Sequence, residues 1–332
     1  MTIAPLFEAI NVSKRFRVGN RLSAQGVRTV HAVDHVSLSI MPGETLGLVG
    51  ESGCGKSTLA RCLTRLCDIS EGQMLFDGTD ISALSIRALR PLRQKIQMVF
   101  QDPYAALNPR RRVQDLIAEP LRIHLSLSKP QLRARVAQLL EQVGLSPDHA
   151  ARYPHEFSGG QRQRIGIARA IALEPKMVIL DEPVSALDVS VQAQIVNLLA
   201  DLQERLNLTY VFVAHDLSVV RQVSTRIAVM YLGSIVEIGD AEEIFSRPTH
   251  PYTEALISAV PKPVHADGVA RNRVVLSGDV PSPINPPHGC RFHPRCPLAQ
   301  DRCRVERPAL SVVSDARSVA CHFPVNLAVA GG

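Results

Sequence analysis

A glycine-rich turn between a strand and a helix constrains the fold of this chain more than any other feature of its sequence. The run Thr45–Val49 predicts a buried strand, and apolar residues at helical spacing over residues 56–67 predict a helix. Strand, glycine turn and helix in this order begin a parallel α/β sheet. The turn, named the phosphate turn below, fits the phosphate-loop pattern over Gly50, Glu51, Ser52, Gly53, Cys54, Gly55, Lys56, Ser57 and Thr58.

The residue types of the phosphate turn suit the oxygens of a nucleoside triphosphate. Glycines let successive backbone N–H groups point inward, and the start of the helix adds partial positive charge. Lys56 can reach the β and γ phosphates, and the Ser57 hydroxyl can bind Mg²⁺. The alternative is a fortuitous glycine turn before a helix, which the flanking strand and helix disfavour.

Two acidic residues follow an apolar strand predicted over residues 177–180. Carboxylates at the carboxyl end of a strand lie at the edge of a parallel sheet where ligands bind. There Asp181 can hold Mg²⁺ through water, and Glu182 can orient and deprotonate an attacking water. The alternative is a simple turn at the strand end, because Pro183 follows at once.

A second glycine turn precedes an arginine-rich helix. Its exposed N–H groups predict another anion site, and one nucleotide needs only one phosphate loop. The second site is therefore expected to serve a nucleotide held by another subunit, and the alternative is an ordinary helix cap by the serine. The turn consists of Ser158, Gly159, Gly160 and Gln161.

These three motifs resemble, in order and spacing, the ATP-binding subunits of ABC transporters, with 23 residues from Ser158 to Asp181. The resemblance covers about residues 5–260 and implies a head-to-tail pair of ATPases that share composite sites. It implies ATP and Mg²⁺ as ligands. Each ATP would lie between the phosphate turn of one subunit and the Ser158 turn of the other.

The resemblance assigns further roles to single residues. Gln101 matches the glutamine that reaches Mg²⁺, and Asp188 lies in the family's D-loop. His215 matches the histidine that contacts the γ phosphate, although a core histidine at a strand end is the alternative. Phe16 takes the place of the aromatic residue, often Tyr, that stacks on adenine.

The fold implied is α/β, an ABC-type P-loop NTPase with a RecA-like mixed sheet, an antiparallel β part and a helical subdomain. We expect the ATP-binding domain over residues 1–262, with the helical subdomain at about 102–170, where no convincing strand occurs between residues 101 and 158. Residues 17–30 predict an exposed hairpin or loop. A loop-rich extension is expected over residues 263–332, since eight prolines between residues 261 and 297 disfavour long helices.

Four cysteines stand close together in this extension, at Cys290, Cys296, Cys303 and Cys321. Four thiolates suit tetrahedral zinc or a 4Fe–4S cluster, and the spacing does not separate the two. The family resemblance favours the cluster as a structural centre. Free reduced thiols are the third alternative.

The extension also resembles that of the ATPases of dipeptide and oligopeptide importers, through residues 250–253 and 281–283. Residues 101–110 and 119–121 resemble the second of the two ATPase types in such systems. This implies a heterodimer with another ATPase, two transmembrane permease subunits and an extracytoplasmic solute-binding protein. Relatives of this branch carry nickel, glutathione or other small solutes, so the cargo stays open.

Composition limits the rival functions. Hydrophobic residues make up 45% and charged residues 20%, which excludes a disordered or fibrous chain. The chain shows neither an apolar run of membrane-spanning length nor a secretory signal, so we expect a cytoplasmic location. The family resemblance implies that this location is the cytoplasmic face of the membrane. The net charge of +6 gives mild support to a soluble ABC-type ATPase acting on nucleic acid or ribosomes, but the basic residues form no stripe. Glu182 and His215 disfavour a non-catalytic binding module.

Overall fold

The computed structural model describes residues 4–19, 27–260, 276, 278–314 and 317–326. The strands in these residues are β1 (Phe7–Val18), β2 (Arg28–Ile40), β3 (Thr45–Val49), β4 (Glu71–Phe76), β5 (Thr79–Asp80), β6 (Ile96–Val99), β7 (Met177–Asp181), β8 (Thr209–Val213), β9 (Arg226–Tyr231), β10 (Ser234–Asp240), β11 (Ser311–Ser314) and β12 (Arg317–Val319).

The α-helices in the same residues are α1 (Lys56–Leu63), α2 (Ile86–Leu89), α3 (Leu92–Lys95), α4 (Pro103–Ala106), α5 (Val113–His124), α6 (Lys129–Gln142), α7 (Gly159–Ile171), α8 (Val189–Leu206), α9 (Leu217–Val223), α10 (Ala241–Ser246), α11 (Pro251–Ser258) and α12 (Asp301–Val305). Short 3-10 helices cover Pro147–Ala151 and Pro154–Glu156. Among the described residues, none of these helices is long and apolar enough to cross a membrane.

The chain divides into two compact units. Unit 1 comprises Met1–Leu6, Ile40–Thr45 and Ala83–Ala214. Unit 2 comprises Phe7–Ser39, Leu46–Ser82 and His215–Gly332. The carboxylate pair and the Ser158 turn therefore belong to unit 1, whereas the phosphate turn, His215 and the four clustered cysteines belong to unit 2.

Unit 1 contains three parallel strands in the order β6, β7, β8. Every residue of β7 and β8 is buried, as expected for apolar parallel strands covered on both faces. Because the strands are parallel, their carboxyl ends, Val99, Asp181 and Val213, lie at one edge of the sheet. The backbone of residues 101–158 is described throughout, and it forms helices and loops without a strand.

Unit 2 contains a four-stranded sheet in the order β2, β1, β4, β5, in which β4 is antiparallel to both of its neighbours, and a mixed group of strands. In the mixed group β3 is parallel to β9, and β10, β12 and β11 continue it antiparallel. Strand β3 is wholly buried and leads into the phosphate turn and α1. The sequence predicted β3 with its observed bounds.

The C-terminal segment, which comprises the described residues 278–314 and 317–326, contributes to the same mixed group of strands. Glu237 of β10 pairs with Val319 of β12, which joins the end of the chain to a strand before the prolines. Residues 281–300 contain neither helix nor strand, in agreement with the high proline content. The expected boundary at residues 262 and 263 lies outside the described residues.

The sequence predicts an exposed hairpin or loop over residues 17–30. Strand β1 extends to Val18 and β2 begins at Arg28, and the two strands are neighbours in one sheet, which agrees with the hairpin alternative. Residues 20–26 lie outside the described residues.

Candidate active site

The phosphate turn depends on glycine at two positions where other backbone passes close by. Gly50 and Gly55 have positive φ angles of 151° and 108°, which favour glycine over residues with a side chain. A Cβ on Gly50 would lie 2.1 Å from the Met230 carbonyl oxygen, and one on Gly55 would lie 2.1 Å from that of Ala32. Packing inside unit 2 therefore requires these glycines.

Lys56 is folded over the phosphate turn. Its Nζ donates to the carbonyl oxygens of Gly50 at 2.7 Å and Glu51 at 3.0 Å, and its side chain is buried. Lys56 is also the first residue of α1, so its ammonium group is close to the positive end of that helix. A triphosphate could replace these carbonyl contacts with stronger charge-assisted hydrogen bonds.

The other residues of the phosphate turn differ in their exposure. Ser52 and Gly53 are exposed, Ser57 and Thr58 are partly buried, and Cys54 is buried. Burial raises the pKa of the Cys54 thiol, so this cysteine packs as a neutral side chain. Phe16 of β1 is 37% exposed, so its ring is partly accessible for stacking.

Glu51 makes contacts that sequence reasoning missed. Its carboxylate forms a bidentate ion pair with Arg295, and its backbone N–H donates to the Tyr252 hydroxyl at 2.9 Å. Arg295 and Tyr252 follow Glu51 by more than 200 residues. In the sequence, residues 250–253, which include Tyr252, attracted notice only through their resemblance to importer ATPases, and nothing there predicted a contact with Glu51.

The two acidic residues of unit 1 occupy different environments. Asp181 ends β7 and is 2% exposed, whereas Glu182 is partly buried. Glu182 adopts a left-handed conformation with φ 48°, which is uncommon for a residue with a side chain. Its N–H donates to the Val213 carbonyl at 2.9 Å, which attaches this strained residue to the end of β8.

Gln101 is brought next to Glu182. Its Nε2 donates to Glu182 Oε2 at 2.8 Å, although the two residues are 81 positions apart. The contact arises because β6 and β7 are parallel neighbours that end at the same edge of the sheet. The amide can therefore orient the carboxylate that the sequence assigned as the base.

The Ser158 turn forms a capping box at the start of α7. Ser158 Oγ accepts from the Gln161 N–H at 3.3 Å, and Gln161 Oε1 accepts from the Ser158 N–H at 3.0 Å. The helix cap, considered above as the alternative, is therefore present. A helix start carries several N–H groups without partners inside the helix, so a cap does not exclude an anion at the same end.

The remaining two assigned residues lie at helix starts. Asp188 caps α8, since its Oδ1 accepts from the Val191 N–H at 3.0 Å and from the Ser190 hydroxyl at 2.7 Å. These hydrogen bonds, that of Ser190 first, lower the pKa of the Asp188 carboxyl. His215 is exposed in unit 2, so the alternative of a core histidine is wrong.

The four clustered cysteines line one small cavity of about 10 Å³ together with His250, Phe292 and Phe323. All four are free thiols, and burial raises the pKa of Cys290, Cys296 and Cys321. Within the described ranges, no three or more His, Cys, Asp or Glu side chains are arranged to hold a metal ion. The expected iron–sulfur cluster or zinc is therefore not supported by this arrangement, in which the cysteine side chains lie beside aromatic rings.

Comparison with known proteins identifies the family. Residues 33–185 match the model of the ABC transporter family, and residues 236–303 match the C-terminal region of oligopeptide/dipeptide transporters. The oligopeptide transport ATP-binding protein AppF of Bacillus subtilis is 52% identical over 319 residues, which cover 96% of this chain and 97% of AppF. The chain belongs to the ATP-binding subunits of ABC transporters.

Other relatives agree with this assignment. The di/tripeptide transport ATP-binding protein DppF of Pseudomonas aeruginosa is 48% identical, over 95% of this chain and 96% of its own length. A dimeric ATP-binding cassette, solved in a post-hydrolysis state with ADP and Pi, is 30% identical with a TM-score of 0.64, over 71% of this chain and 98% of that one. The ABC-type P-loop fold is confirmed, and the chain is an ATP-hydrolysing enzyme for which ATP and Mg²⁺ are the expected ligands.

Proposed function

We propose that this ATPase powers the import of dipeptides or oligopeptides across a cell membrane. One observation carries the proposal: the likeness over nearly the whole chain to ATP-binding proteins named for oligopeptide and di/tripeptide transport. The match of residues 236–303 to an oligopeptide/dipeptide transporter region supports the same cargo class. These relatives favour transport over a soluble ATPase that acts on nucleic acid or ribosomes.

In this proposal the chain works at the cytoplasmic face of the membrane with several partners. It pairs head to tail with a second ATPase subunit, and the pair contacts two transmembrane permease subunits. An extracytoplasmic solute-binding protein delivers the peptide. Closure of the ATPase pair on ATP and its reopening after hydrolysis drive the permease between two states.

The phosphate turn binds the triphosphate in this scheme. Backbone N–H groups of residues 50–58 and the Lys56 ammonium hold the β and γ phosphates, and the Phe16 ring stacks on adenine. The hydroxyl of Ser57, the carboxylate of Asp181 and the amide of Gln101 are the proposed ligands of Mg²⁺. When bound, the ion would neutralise charge on the phosphate oxygens.

Glu182 is the proposed general base. The Gln101 amide holds its carboxylate at 2.8 Å, and the Val213 carbonyl holds its backbone, so its position is fixed before substrate arrives. His215 contacts the γ phosphate in this scheme. The start of α7 binds the phosphates of the partner's ATP through its free N–H groups, and Asp188 acts in the D-loop beside them.

Transport in lipid vesicles tests the proposed function. The tagged chain is purified from membranes with its associated proteins, reconstituted, and supplied with the binding protein and a labelled peptide. We expect peptide uptake only with ATP and Mg²⁺, and none with the Glu182→Gln variant. If uptake fails while RNA or ribosomes stimulate ATP hydrolysis, the nucleic-acid alternative is correct.

We further propose that the four clustered cysteines bind one metal centre. The support is their common cavity and the thiol chemistry, which suits iron–sulfur clusters and zinc. The cavity is close to the size of one water molecule, so binding a cluster requires the side chains around it to rearrange.

Metal and sulfide analysis of anaerobically purified protein tests this second proposal. A cluster gives iron and sulfide with a brown colour that absorbs at about 400 nm, and Cys296→Ser abolishes it. Cys67→Ser, which changes a cysteine outside the cavity, serves as the control. One zinc per chain would correct the identity of the centre, and absence of both metals would contradict the proposal.

A further inference from the structure

The phosphate turn is attached to the C-terminal segment of unit 2 through one of its own residues. Glu51 Oε2 accepts from Arg295 Nη1 at 2.7 Å, and Oε1 accepts from Nη2 at 3.1 Å. Such a bidentate pair fixes both the position and the orientation of the carboxylate. The backbone of Glu51 is held as well, because its N–H donates to Tyr252 Oη at 2.9 Å.

The groups that hold Glu51 are themselves fixed by packing. The Arg295 side chain is 8% exposed and lies over the Tyr231 ring, 5.9 Å from its centroid. Tyr252 is fully buried, with its ring centroid 4.7 Å from that of Tyr231 and 5.4 Å from that of Phe292. Arg295 is therefore not a mobile surface residue that meets Glu51 by chance.

An acidic residue in the phosphate turn opposes the binding of a polyanion. Like charges within several ångströms repel each other, and the repulsion is stronger where water is partly excluded. Arg295 cancels the charge of Glu51. Glu51 also contacts Lys56, because Lys56 Nζ donates to the backbone carbonyl oxygen of Glu51 at 3.0 Å.

We propose that Arg295 and Tyr252 are positioning residues for nucleotide binding, which keep Glu51 neutralised and fixed so that the phosphate turn accepts a triphosphate. The C-terminal segment thereby has a direct role in the ATP site. This inference rests on the proposed assignment of residues 50–58 as that site. It extends the assignment to groups that do not touch the nucleotide.

A role of Arg295 in cancelling charge and a role in stabilising the fold predict different effects of its replacement. If Arg295 acts by cancelling the charge of Glu51, its loss weakens the binding of each nucleotide in proportion to the charge of that nucleotide. Removal of the Glu51 carboxylate then restores binding. If Arg295 only stabilises the fold, its loss affects all nucleotides alike, and removal of the carboxylate restores nothing. A double-mutant cycle on the two residues separates these cases.

Nucleotide affinity in the full-length protein provides the test, by titration with ATP and ADP at low salt. We expect Arg295→Met to weaken ATP binding by at least about tenfold and ADP binding by less, and salt to reduce the difference. The double variant Glu51→Gln/Arg295→Met should bind ATP within about threefold of the Glu51→Gln variant. Tyr252→Phe, which keeps the ring and removes the acceptor of the Glu51 N–H, should weaken ATP binding by a smaller factor.

Arg317→Met is the matched control. Arg317 is also 8% exposed, comes from the same C-terminal segment and pairs with Glu243 at 3.2 Å, but it is hydrogen-bonded to residues 243, 247 and 249 instead of the phosphate turn. We expect its replacement to lower stability and to leave nucleotide affinity unchanged. Circular dichroism and thermal denaturation of every variant show whether it is folded.

Three results would overturn the inference. The first is an ATP affinity in Arg295→Met that equals that of the unmodified protein. The second is an equal loss of ATP and ADP affinity that the added Glu51→Gln substitution does not restore. The third is the same loss of ATP affinity in the Arg317→Met control. If Arg295→Met does not fold, Glu51→Gln alone decides, since charge cancellation predicts ATP affinity equal to or tighter than that of the unmodified protein. A Lys56→Ala variant with normal ATP affinity would instead refute the assignment of the phosphate turn.

Discussion

Glu182 combines backbone strain with fixed hydrogen bonds at a single position. A left-handed backbone at a residue with a side chain costs roughly 1 kcal/mol or more, and it persists only where surrounding contacts impose it. Here the Val213 carbonyl and the Gln101 amide do so. The contacts aim one carboxylate oxygen at the amide and limit the rotation of the side chain, which suits a residue that must orient water.

Glu182→Gln should therefore bind ATP normally and lose turnover. The amide keeps the size and hydrogen-bonding capacity of the side chain but does not accept a proton, so we expect hydrolysis to fall about 10²- to 10⁴-fold. Phosphate release and titration with a fluorescent ATP analogue measure the two effects. Glu174→Gln, which alters an exposed ion pair with Arg135 in unit 1, should change neither. Unchanged hydrolysis by Glu182→Gln would remove the assignment of the base.

At the scale of elements, helix α7 holds the Ser158 turn against α8. Gly160 in its first turn leaves room for the neighbouring helix, because a Cβ there would lie 2.4 Å from Val191 Cγ1. Val191 is β-branched and stiff about χ1, so it does not rotate away easily. Close approach of the two helices thus requires glycine at this position.

Gly160→Ala should destabilise the protein and displace the Ser158 turn. We expect a loss of about 1–3 kcal/mol from overpacking, with reduced ATP hydrolysis. Gly166→Ala in the same helix is the control, since a Cβ there meets nothing within 4 Å. That substitution should stabilise α7 by about 0.5–1 kcal/mol. Urea denaturation of both variants checks the prediction, and equal effects would show that the contact with Val191 is unimportant.

At the scale of the whole molecule, ion pairs join early and late parts of the chain within unit 2. Asp34 Oδ2 accepts from Arg291 Nη2 and Arg307 Nη1, each at 2.5 Å, and the Asp34 side chain is 6% exposed. Burial acts to raise the pKa of Asp34, but the two arginines outweigh it and hold the pKa below its ordinary value of 3.8. The ionised carboxylate therefore stabilises the folded state.

Asp34→Asn should lower stability at neutral pH and matter less in acid. A buried ion pair that loses one partner costs about 3–5 kcal/mol, because the remaining charges stay buried. Since the folded pKa lies below the unfolded one, the contribution is complete above pH 3.8 and disappears as the pH falls through the folded value.

The urea midpoints of Asp34→Asn and the unmodified protein should thus differ at pH 7 and converge below pH 3.8. Glu242→Gln, which breaks an exposed pair with Arg221 in the same unit, should shift the midpoint far less. A difference that persists unchanged in acid would contradict the role of the ionised carboxylate.

Hydrolysis should also depend on a second ATPase subunit. If the Ser158 turn serves the partner's nucleotide, activity per chain rises with protein concentration or on addition of the partner ATPase. Dilution series of the purified protein, with sedimentation to follow association, measure this dependence. Full turnover by an isolated single chain at every concentration would contradict the composite site.

Much of the fold and of the candidate nucleotide site could be predicted because the signals are local. Strand β3, the phosphate turn and α1 are consecutive, and their glycines and apolar spacing specify the backbone directly. The acidic pair at the end of β7 and the glycines before α7 are local in the same sense. Strands β1 and β2 were harder, since charged residues in half-buried antiparallel strands resemble loops.

The sequence by itself determined the residue types of the site and the short segments that present them. Only the tertiary structure decided that Gln101 contacts Glu182, that Arg295 forms an ion pair with Glu51, and that the four clustered cysteines line one cavity. The physical reason is the separation in sequence between the groups that interact. Backbone angles and burial periodicity depend on neighbours in sequence, whereas hydrogen bonds and ion pairs act over a few ångströms between groups that strand pairing and packing bring together from distant positions.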